Sequence, residues 1–284
     1  MEQNFATFDT AQLTQLEHGG LLPLPDSVGK ILAQQFSQPL HELPQGRIRA
    51  KGLSYDPKTG TVRGTPIPFE SEQVDLLHQI SQQMIEIVHK LLPAYAAEII
   101  PDRLTWQTHE VANAPHRTNA RDDLYHVDNF PTRPSRGMRI LRFCLNFDTD
   151  VRVFAVSEPF RKLIEFYRNP LKQALKQSNN LSNINSPWWH FGKNRDTNPS
   201  DYDLVMGKIH HWMKADLHFQ DRCKKYLHRF SAHEGWLFFS DGTAYAHLRG
   251  KRLLDHSFFV PQRCLVAPQC SPLALLEACH TQEA

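Results

Sequence analysis

Apolar side chains in the first hundred residues recur mostly at helical spacing. Thr10–Glu17 reads as a short helix stopped by Gly19-Gly20, and Ser27–Phe36 as a second behind the cap candidates Asp26 and Ser27. Residues 71–92 carry Val74, Leu77, Ile80, Met84, Ile87, Val88 and Leu91 on one side of a long amphipathic helix. Just before it, YDPKTGTVRG (55–64) places Asp56-Pro57 and Gly60 in a tight turn between two extended arms. From Leu104 the period shortens to two. Strands are expected over Leu104–Val111, Met138–Phe147, Arg152–Val156, Lys225–Phe230, Gly235–Ser240, Ala244–Arg249 and Leu253–Val260. Helical stretches interrupt them at Glu158–Gln177, broken at Asn169-Pro170, and at Tyr202–Gln220. The Asn-, Ser- and Pro-rich stretch from Gln177 to Ser200, around Trp188-Trp189, reads as a loop long enough to be a lid or binding element. Many short strands late in the chain point to a mainly β sandwich or jelly roll with α elaboration. With no internal repeat and no break in composition, residues 1–284 read as a single domain. In it a mainly helical elaboration (1–100) leads into the strand-rich core (101–262) and a C-terminal tail (263–284).

Composition narrows the class. A net charge of +2 and a pI near 8.3, with no basic stripe, argue against a nucleic-acid partner. The start, MEQNFATFDTAQ, lacks the pattern of a secretory signal, and no run approaches the ~18 apolar residues that span a bilayer. A cytoplasmic chain is expected. The five cysteines are odd in number and form no CxxC, so reduced thiols are expected. Cys264, Cys270, Cys279 and His280 match no zinc-finger spacing. Sixteen histidines are the one oddity, and they suggest metal chemistry without choosing a site.

The choice comes from His126-Val127-Asp128. On a strand, residues two apart share a face, so an imidazole and a carboxylate reach one ion, as in two-thirds of the facial triad of non-heme Fe(II) oxygenases. In the strand that follows, Leu141, Phe143, Leu145 and Phe147 alternate with Ile140, Arg142, Cys144 and Asn146, which turns Arg142 and Asn146 toward a cavity. An interior Arg142 calls for a carboxylate, either an acidic ligand or a protein group such as Asp122 or Asp123. In the last hairpin, with its turn at Arg249-Gly250, His247 is the candidate third ligand; Tyr245 shares its face, and His256 is a weaker candidate. His210-His211 reads as packed or hydrogen-bonded in its helix, and His78 and His89 as rim and solvated positions. Ser157 and Ser240 lack a nucleophile elbow and no phosphate loop is present, which removes hydrolase and nucleotide-binding readings.

The blocks SYDPKTGTVRGT (54–65), LLPAY (91–95), RDDLYHVDNFPTRPSRGMRILRFCLNF (121–147), SEPF (157–160), YDLVMGKIHHWMKAD (202–216) and GWLFFSDGTAYAHLRG (235–250) together resemble the Kdo hydroxylases. These are Fe(II)- and 2-oxoglutarate-dependent dioxygenases acting on 3-deoxy-D-manno-oct-2-ulosonic acid (Kdo) of lipopolysaccharide. The FPxRP tail after the HVD motif is the most specific part. The resemblance implies a double-stranded β-helix (jelly-roll) core flanked by N-terminal and inserted helices. It also implies iron on His126, Asp128 and a distal histidine, with 2-oxoglutarate and O2 as cosubstrates, and hydroxylation of C3 of Kdo in Kdo-lipid A. Arg142, with Asn146, is then expected on the 2-oxoglutarate side. Arg133, Arg136 and Arg139 are expected on the acidic sugar or lipid A phosphates, with a solvated turn position equally open for Arg136. Cytoplasmic placement, or peripheral contact with the cytoplasmic face of the inner membrane, follows from such a substrate.

One position departs from the family pattern. Aligning Trp236, Phe239, Asp241 and Gly250 puts the distal histidine at position 245, where this chain has Tyr245, and His247 lies one strand repeat of about 6.6 Å further on. Three outcomes stay open: a bulge brings His247 to the metal, Tyr245 is itself a ligand, or the site is degenerate. His247 with a bulge is the expectation. The competing readings are a sugar- or lipopolysaccharide-binding relative without catalysis and a dioxygenase of the same fold acting on another acidic sugar.

Overall fold

The computed structural model describes residues 5–44, 52–65, 67–111, 118, 121–178, 181 and 198–281. In chain order the elements are α1 (Thr10–Glu17), β1 (Leu21–Pro23), α2 (Asp26–Glu42), β2 (Leu53–Asp56), β3 (Thr61–Arg63), α3 (Ser71–Leu91) and α4 (Pro93–Ala96). Then come β4 (Ile100–Gln107), β5 (Arg139–Asn146), β6 (Arg152–Pro159), α5 (Phe160–Phe166), α6 (Arg168–Lys176), α7 (Asp201–Ala215) and α8 (Leu217–Arg222). The chain closes with β7 (Tyr226–Phe230), β8 (Gly235–Phe239), β9 (Thr243–Arg249), β10 (Leu253–Val260) and α9 (Pro272–Thr281).

Local chemistry explains most boundaries. Asp9 and Gln12 cap α1 reciprocally, each side chain accepting the other's backbone N–H at 2.8 and 3.0 Å. The second helix outruns its expected end at Phe36 and passes through Pro39. Pro39 sits in the last turns, where one lost hydrogen bond is offset by burial of Phe36 and Leu40. The break between α5 and α6 falls at Tyr167 rather than at Asn169-Pro170, because Pro170 lies in the first turn of α6, where a missing N–H leaves nothing unsatisfied. The tail is not irregular: α9 buries Leu273 and Leu276 against the inserted helices.

The strands form two antiparallel sheets. The larger has the order β1-β8-β5-β10-β4-β2-β3 and the smaller the order β7-β6-β9, with the segment around His126 bridging onto the free edge of β9. The N-terminal region therefore contributes strands as well as helices: β1 pairs with β8, and the β2–β3 hairpin extends the large sheet beyond β4. Alternation sorts each strand. Leu141, Phe143 and Leu145 of β5, with Leu237, Phe239, Leu254 and Phe258, face α1–α3 in the largest hydrophobic cluster. Ala155, Ala244 and Ala246 of the small sheet face α5–α7 and α9. Phe154, Trp236, Phe238 and Tyr245 fill the space between the sheets. Two sheets with greasy inner faces and helices outside make the jelly roll, and its open end is where the polar residues collect.

One histidine is spent on this packing. His256 faces α3, its Nε2 2.9 Å from the Ser81 hydroxyl and its ring stacked on Phe258 at 4.4 Å, so it is not a metal candidate. Burial pushes its pKa down to about 4. An unfolded histidine titrates at about 6.5 and the folded one takes up its proton only near 4, so this part of the stability is complete above pH ~6.5. It is lost as the pH falls through that window. The urea midpoint should drop between about pH 7 and pH 4, and His256→Gln should flatten the drop. Each pH unit between the unfolded and folded values is worth about 1.4 kcal/mol.

Among the described residues no helix is long and apolar enough to cross a membrane. No disulfide joins any of the five cysteines.

Candidate active site

The site starts from a backbone register. His126 and Tyr245 exchange both backbone hydrogen bonds, at 3.1 and 2.9 Å, and the Asp128 N–H donates to the Ser240 carbonyl at 2.7 Å. This short extended segment turns Tyr125 and Val127 into the helical cluster. His126 and Asp128 consequently face inward, into a cavity of about 670 Å³ between the sheets and α7.

Both side chains are prepared for a cation. Nδ1 of His126 lies 2.7 Å from the Leu124 carbonyl, to which it must donate, and that leaves the Nε2 lone pair toward Asp128 and Asp122 at 3.8 and 3.9 Å. The ring is neutral: burial, then the charges of Lys214 and His210, push its pKa well below the usual value. Burial acts to raise the Asp128 pKa, but Arg142 first, then His126 and the hydroxyls of Ser240 and Tyr245, hold it below the ordinary carboxylate value. Its Oδ2 is buried without a hydrogen-bond partner among the described residues. A lone pair on a neutral imidazole beside an ionised, unsatisfied carboxylate oxygen is the donor chemistry of a mononuclear non-heme iron site, so this pair fits the metal.

The third position differs from expectation. Tyr245 and His247 do share the inward face of β9, but the register runs evenly from Val156–Tyr245 to Phe154–His247, and the two irregularities flank this stretch, one between Thr243 and Tyr245 and one after His247. No bulge returns His247 to the rung opposite His126. Its Nδ1 is 3.1 Å from Nη1 of the buried Arg152, which can only donate, so Nδ1 accepts and the ring hydrogen of this neutral histidine sits on Nε2. Burial and then Arg152 press its pKa to about 3. His247 therefore lines the cavity but offers no free lone pair. Among the described residues no group of three His, Cys, Asp or Glu side chains is arranged to hold a metal ion. The group that touches the pair is Tyr245: its hydroxyl donates to Asp128 Oδ1 at 2.9 Å and its ring centroid lies 4.6 Å from that of His126.

The arginines divide. Arg142 lines the cavity, with Nη2 2.6 Å from Asp255 Oδ2 and Nε 3.8 Å from Asp128 Oδ2. Its carboxylate partner is therefore Asp255, not Asp122 or Asp123. Burial pushes the Asp255 pKa up to about 6, with Arg142 opposing and Asp128 adding to the rise. Arg133 also lines the cavity, its guanidinium 4.2 Å over the Phe130 ring and paired with Asp102. Two expectations fail. Asn146 ends β5 inside a turn: its amide donates to the carbonyls of Asp150, Phe230 and Ser231 at 2.9, 3.0 and 3.2 Å, so no donor is left for a cofactor. Arg139 is fully buried on the helix-facing side of β5, bonded to Asp241 at 2.9 Å, and cannot touch a substrate. Arg136 takes a positive φ of 53° and donates to the Asn198 carbonyl, while Trp188 and Trp189 lie outside the described residues.

Residues that sequence patterns passed over complete the cavity wall. Arg103 of β4 and Arg63 of β3 stand side by side at its mouth, and burial and then the Arg63 charge lower the Arg103 pKa. His210, held by Nδ1 on the Val127 carbonyl at 2.7 Å, meets the His126 ring edge-on at 5.1 Å, and Lys214 follows one turn later on α7. Strand alternation carried the signal for Arg103, since Leu104 and Trp106 belong to the core cluster and their neighbours must face the other way.

The family model for 3-deoxy-D-manno-oct-2-ulosonic acid (Kdo) hydroxylase matches residues 2–283. The chain belongs to the Kdo hydroxylase family. Among solved structures, the Kdo hydroxylase KdoO, a non-heme Fe(II) alphaketoglutarate-dependent dioxygenase, aligns with 25% identity over 98% of this chain and 93% of its own. The TM-scores are 0.70 for its complex with succinate and Fe(III) and 0.71 for that with alphaketoglutarate and Fe(III). A cobalt(II) complex of the same protein superposes with a TM-score of 0.70. No curated protein matches the chain at a significant level. Membership in the Kdo hydroxylases agrees with the jelly-roll architecture of the two sheets.

Proposed function

We propose that this chain is an Fe(II)- and 2-oxoglutarate-dependent dioxygenase that hydroxylates C3 of Kdo in Kdo-lipid A. The observation that carries the reading is the cavity built around His126 and Asp128, a neutral imidazole and a buried carboxylate with an unsatisfied oxygen, in a member of the Kdo hydroxylase family. His126 and Asp128 would hold the iron, which when bound supplies dioxygen activation at the expense of 2-oxoglutarate. The protein's own work is positional. Leu124 fixes the His126 tautomer, Ser240 anchors the Asp128 backbone, and Arg142, itself held by Asp255, keeps Asp128 ionised. Arg142 Nε has no hydrogen-bond partner among the described residues and sits beside the pair, which supports a role for it toward the anionic cosubstrate.

The acidic substrate is matched by the opposite wall. Arg63 and Arg103 share the cavity mouth, and Arg103 Nε is buried without a partner among the described residues, a costly arrangement unless an anion visits. Arg103→Ala should raise KM for the Kdo substrate by about tenfold or more, the loss of one charge-assisted hydrogen bond, while succinate formation without substrate stays as in the parent. A lipid-linked substrate would place the protein in the cytoplasm, in peripheral contact with the inner membrane.

A second reading is favoured by Tyr245, whose hydroxyl already satisfies one oxygen of Asp128: a relative that binds the sugar without turnover. Consumption of 2-oxoglutarate with matching succinate, dependent on added Fe(II) and stimulated by Kdo-lipid A, supports the enzyme. Retained lipid binding without succinate supports the binding relative.

A further inference from the structure

We infer that Tyr245 is the third protein ligand of the metal, binding through its phenolate oxygen in the place of a second histidine. The inference rests on the iron-site reading above, and four observations carry it. Tyr245 is the residue of β9 directly opposite His126, joined to it by both backbone hydrogen bonds. Its hydroxyl already lies 2.9 Å from Asp128 Oδ1, and its ring leans on His126, so its oxygen stands next to a donor atom of the pair. The ring cannot swing away: it is 2% exposed and wedged between Phe154 and Phe238, at 5.7 and 4.9 Å between centroids. The competing imidazoles are otherwise placed. His247 spends Nδ1 on Arg152, so ligation through Nε2 would require an anionic ring, and His210 belongs to α7 with its Nδ1 on the Val127 carbonyl, not to the strand position opposite His126.

On binding, the O–H bond of Tyr245 breaks, its proton leaves to solvent through the open cavity, and the freed oxygen pair forms the bond to the metal. The hydrogen bond to Asp128 would be exchanged for a cation shared by the two side chains, which suits a carboxylate whose Oδ2 has no hydrogen-bond partner among the described residues. No oxidation state changes in this step. The donor set becomes one imidazole, one carboxylate and one phenolate, one negative charge more than two histidines and a carboxylate, and it favours ferric over ferrous iron.

Phenolate bound to Fe(III) is coloured. Full-length protein loaded with Fe(III), without 2-oxoglutarate, should show a visible tyrosinate-to-iron charge-transfer band and resonance-enhanced phenolate ring modes in its Raman spectrum. Tyr245→Phe should lose both while keeping the parent far-UV circular dichroism. His247→Gln and His210→Gln should keep both, and Tyr245→His should bind iron without colour. A colourless ferric protein, failure of the folded chain to take up iron, or a band that survives Tyr245→Phe would overturn the assignment. Turnover is read separately: a tyrosinate band in a protein that leaves Kdo-lipid A unchanged keeps the ligand and removes the proposed function, whereas hydroxylation by a colourless ferric protein does the reverse.

Discussion

Replacing Asp128 with alanine should remove iron binding and succinate formation together while leaving the fold in place. The backbone of residue 128 stays anchored on Ser240, and Arg142 keeps Asp255, so no buried charge is stranded by the change. What is lost is the more buried of the two carboxylates facing His126 Nε2, 9% exposed against 25% for Asp122. Removing a group that merely supports a metal ligand costs about 10–100-fold in affinity or activity, so removing a ligand itself should weaken Fe(II) binding by about 100-fold or more. Equilibrium binding of Fe(II) or Co(II) and a succinate assay on the same preparation check both halves. If metal affinity falls and circular dichroism is unchanged, Asp128 acts as a ligand; if Asp128→Ala binds Fe(II) as tightly as the parent, the metal lies elsewhere.

The second large effect is on stability. Asp241→Ala should destabilise the chain by about 3–5 kcal/mol, the expected result of leaving a buried charge without its partner. Arg139 and Asp241 are 0% and 1% exposed, and Asp241 also accepts the Ile140 N–H at 3.1 Å, which ties β5 to the turn after β8. Gly242 belongs to the same knot, since a Cβ there would stand 2.1 Å from Arg139 Nη2. Such a loss is a large fraction of the about 5–15 kcal/mol that holds a typical folded chain together. Urea unfolding of Asp241→Ala against the parent gives the number. The double variant Arg139→Met/Asp241→Leu, which removes both charges, should recover most of the loss.

These two carboxylates show what a linear sequence reveals and what it hides. The inward pairing of His126 with Asp128 is legible because strand alternation is a local rule and the two residues are two apart. The same rule places Arg139 with Leu141 and Phe143 on the helix-facing side of β5, and reading it as a substrate contact goes against that parity. Asn146 shows the limit of the rule. Alternation names the face, but not where along the strand the cavity ends, and Asn146 lies past that end, in a turn with Asp150 and Phe230. Asp255 stays hidden as the partner of Arg142 for a related reason: the two lie on neighbouring strands in a diagonal set by the register of Ser257 on Arg142, and register is a long-range property. The third ligand position needs more still. Tyr245 and His247 share a face, so only the pairing of β9 with residue 126 and the tautomer imposed by Arg152 tell them apart.

The most direct measurement follows the oxygen atom. The protein is loaded with Fe(II) and incubated with 2-oxoglutarate, Kdo-lipid A and isotopically labelled dioxygen, and the lipid and the cosubstrate are weighed by mass spectrometry. A hydroxylase built on His126 and Asp128 adds one labelled oxygen to the Kdo residue for each succinate formed, and Asp128→Ala adds none. Iron-loaded protein that binds Kdo-lipid A yet leaves its mass unchanged, with 2-oxoglutarate intact, would contradict it.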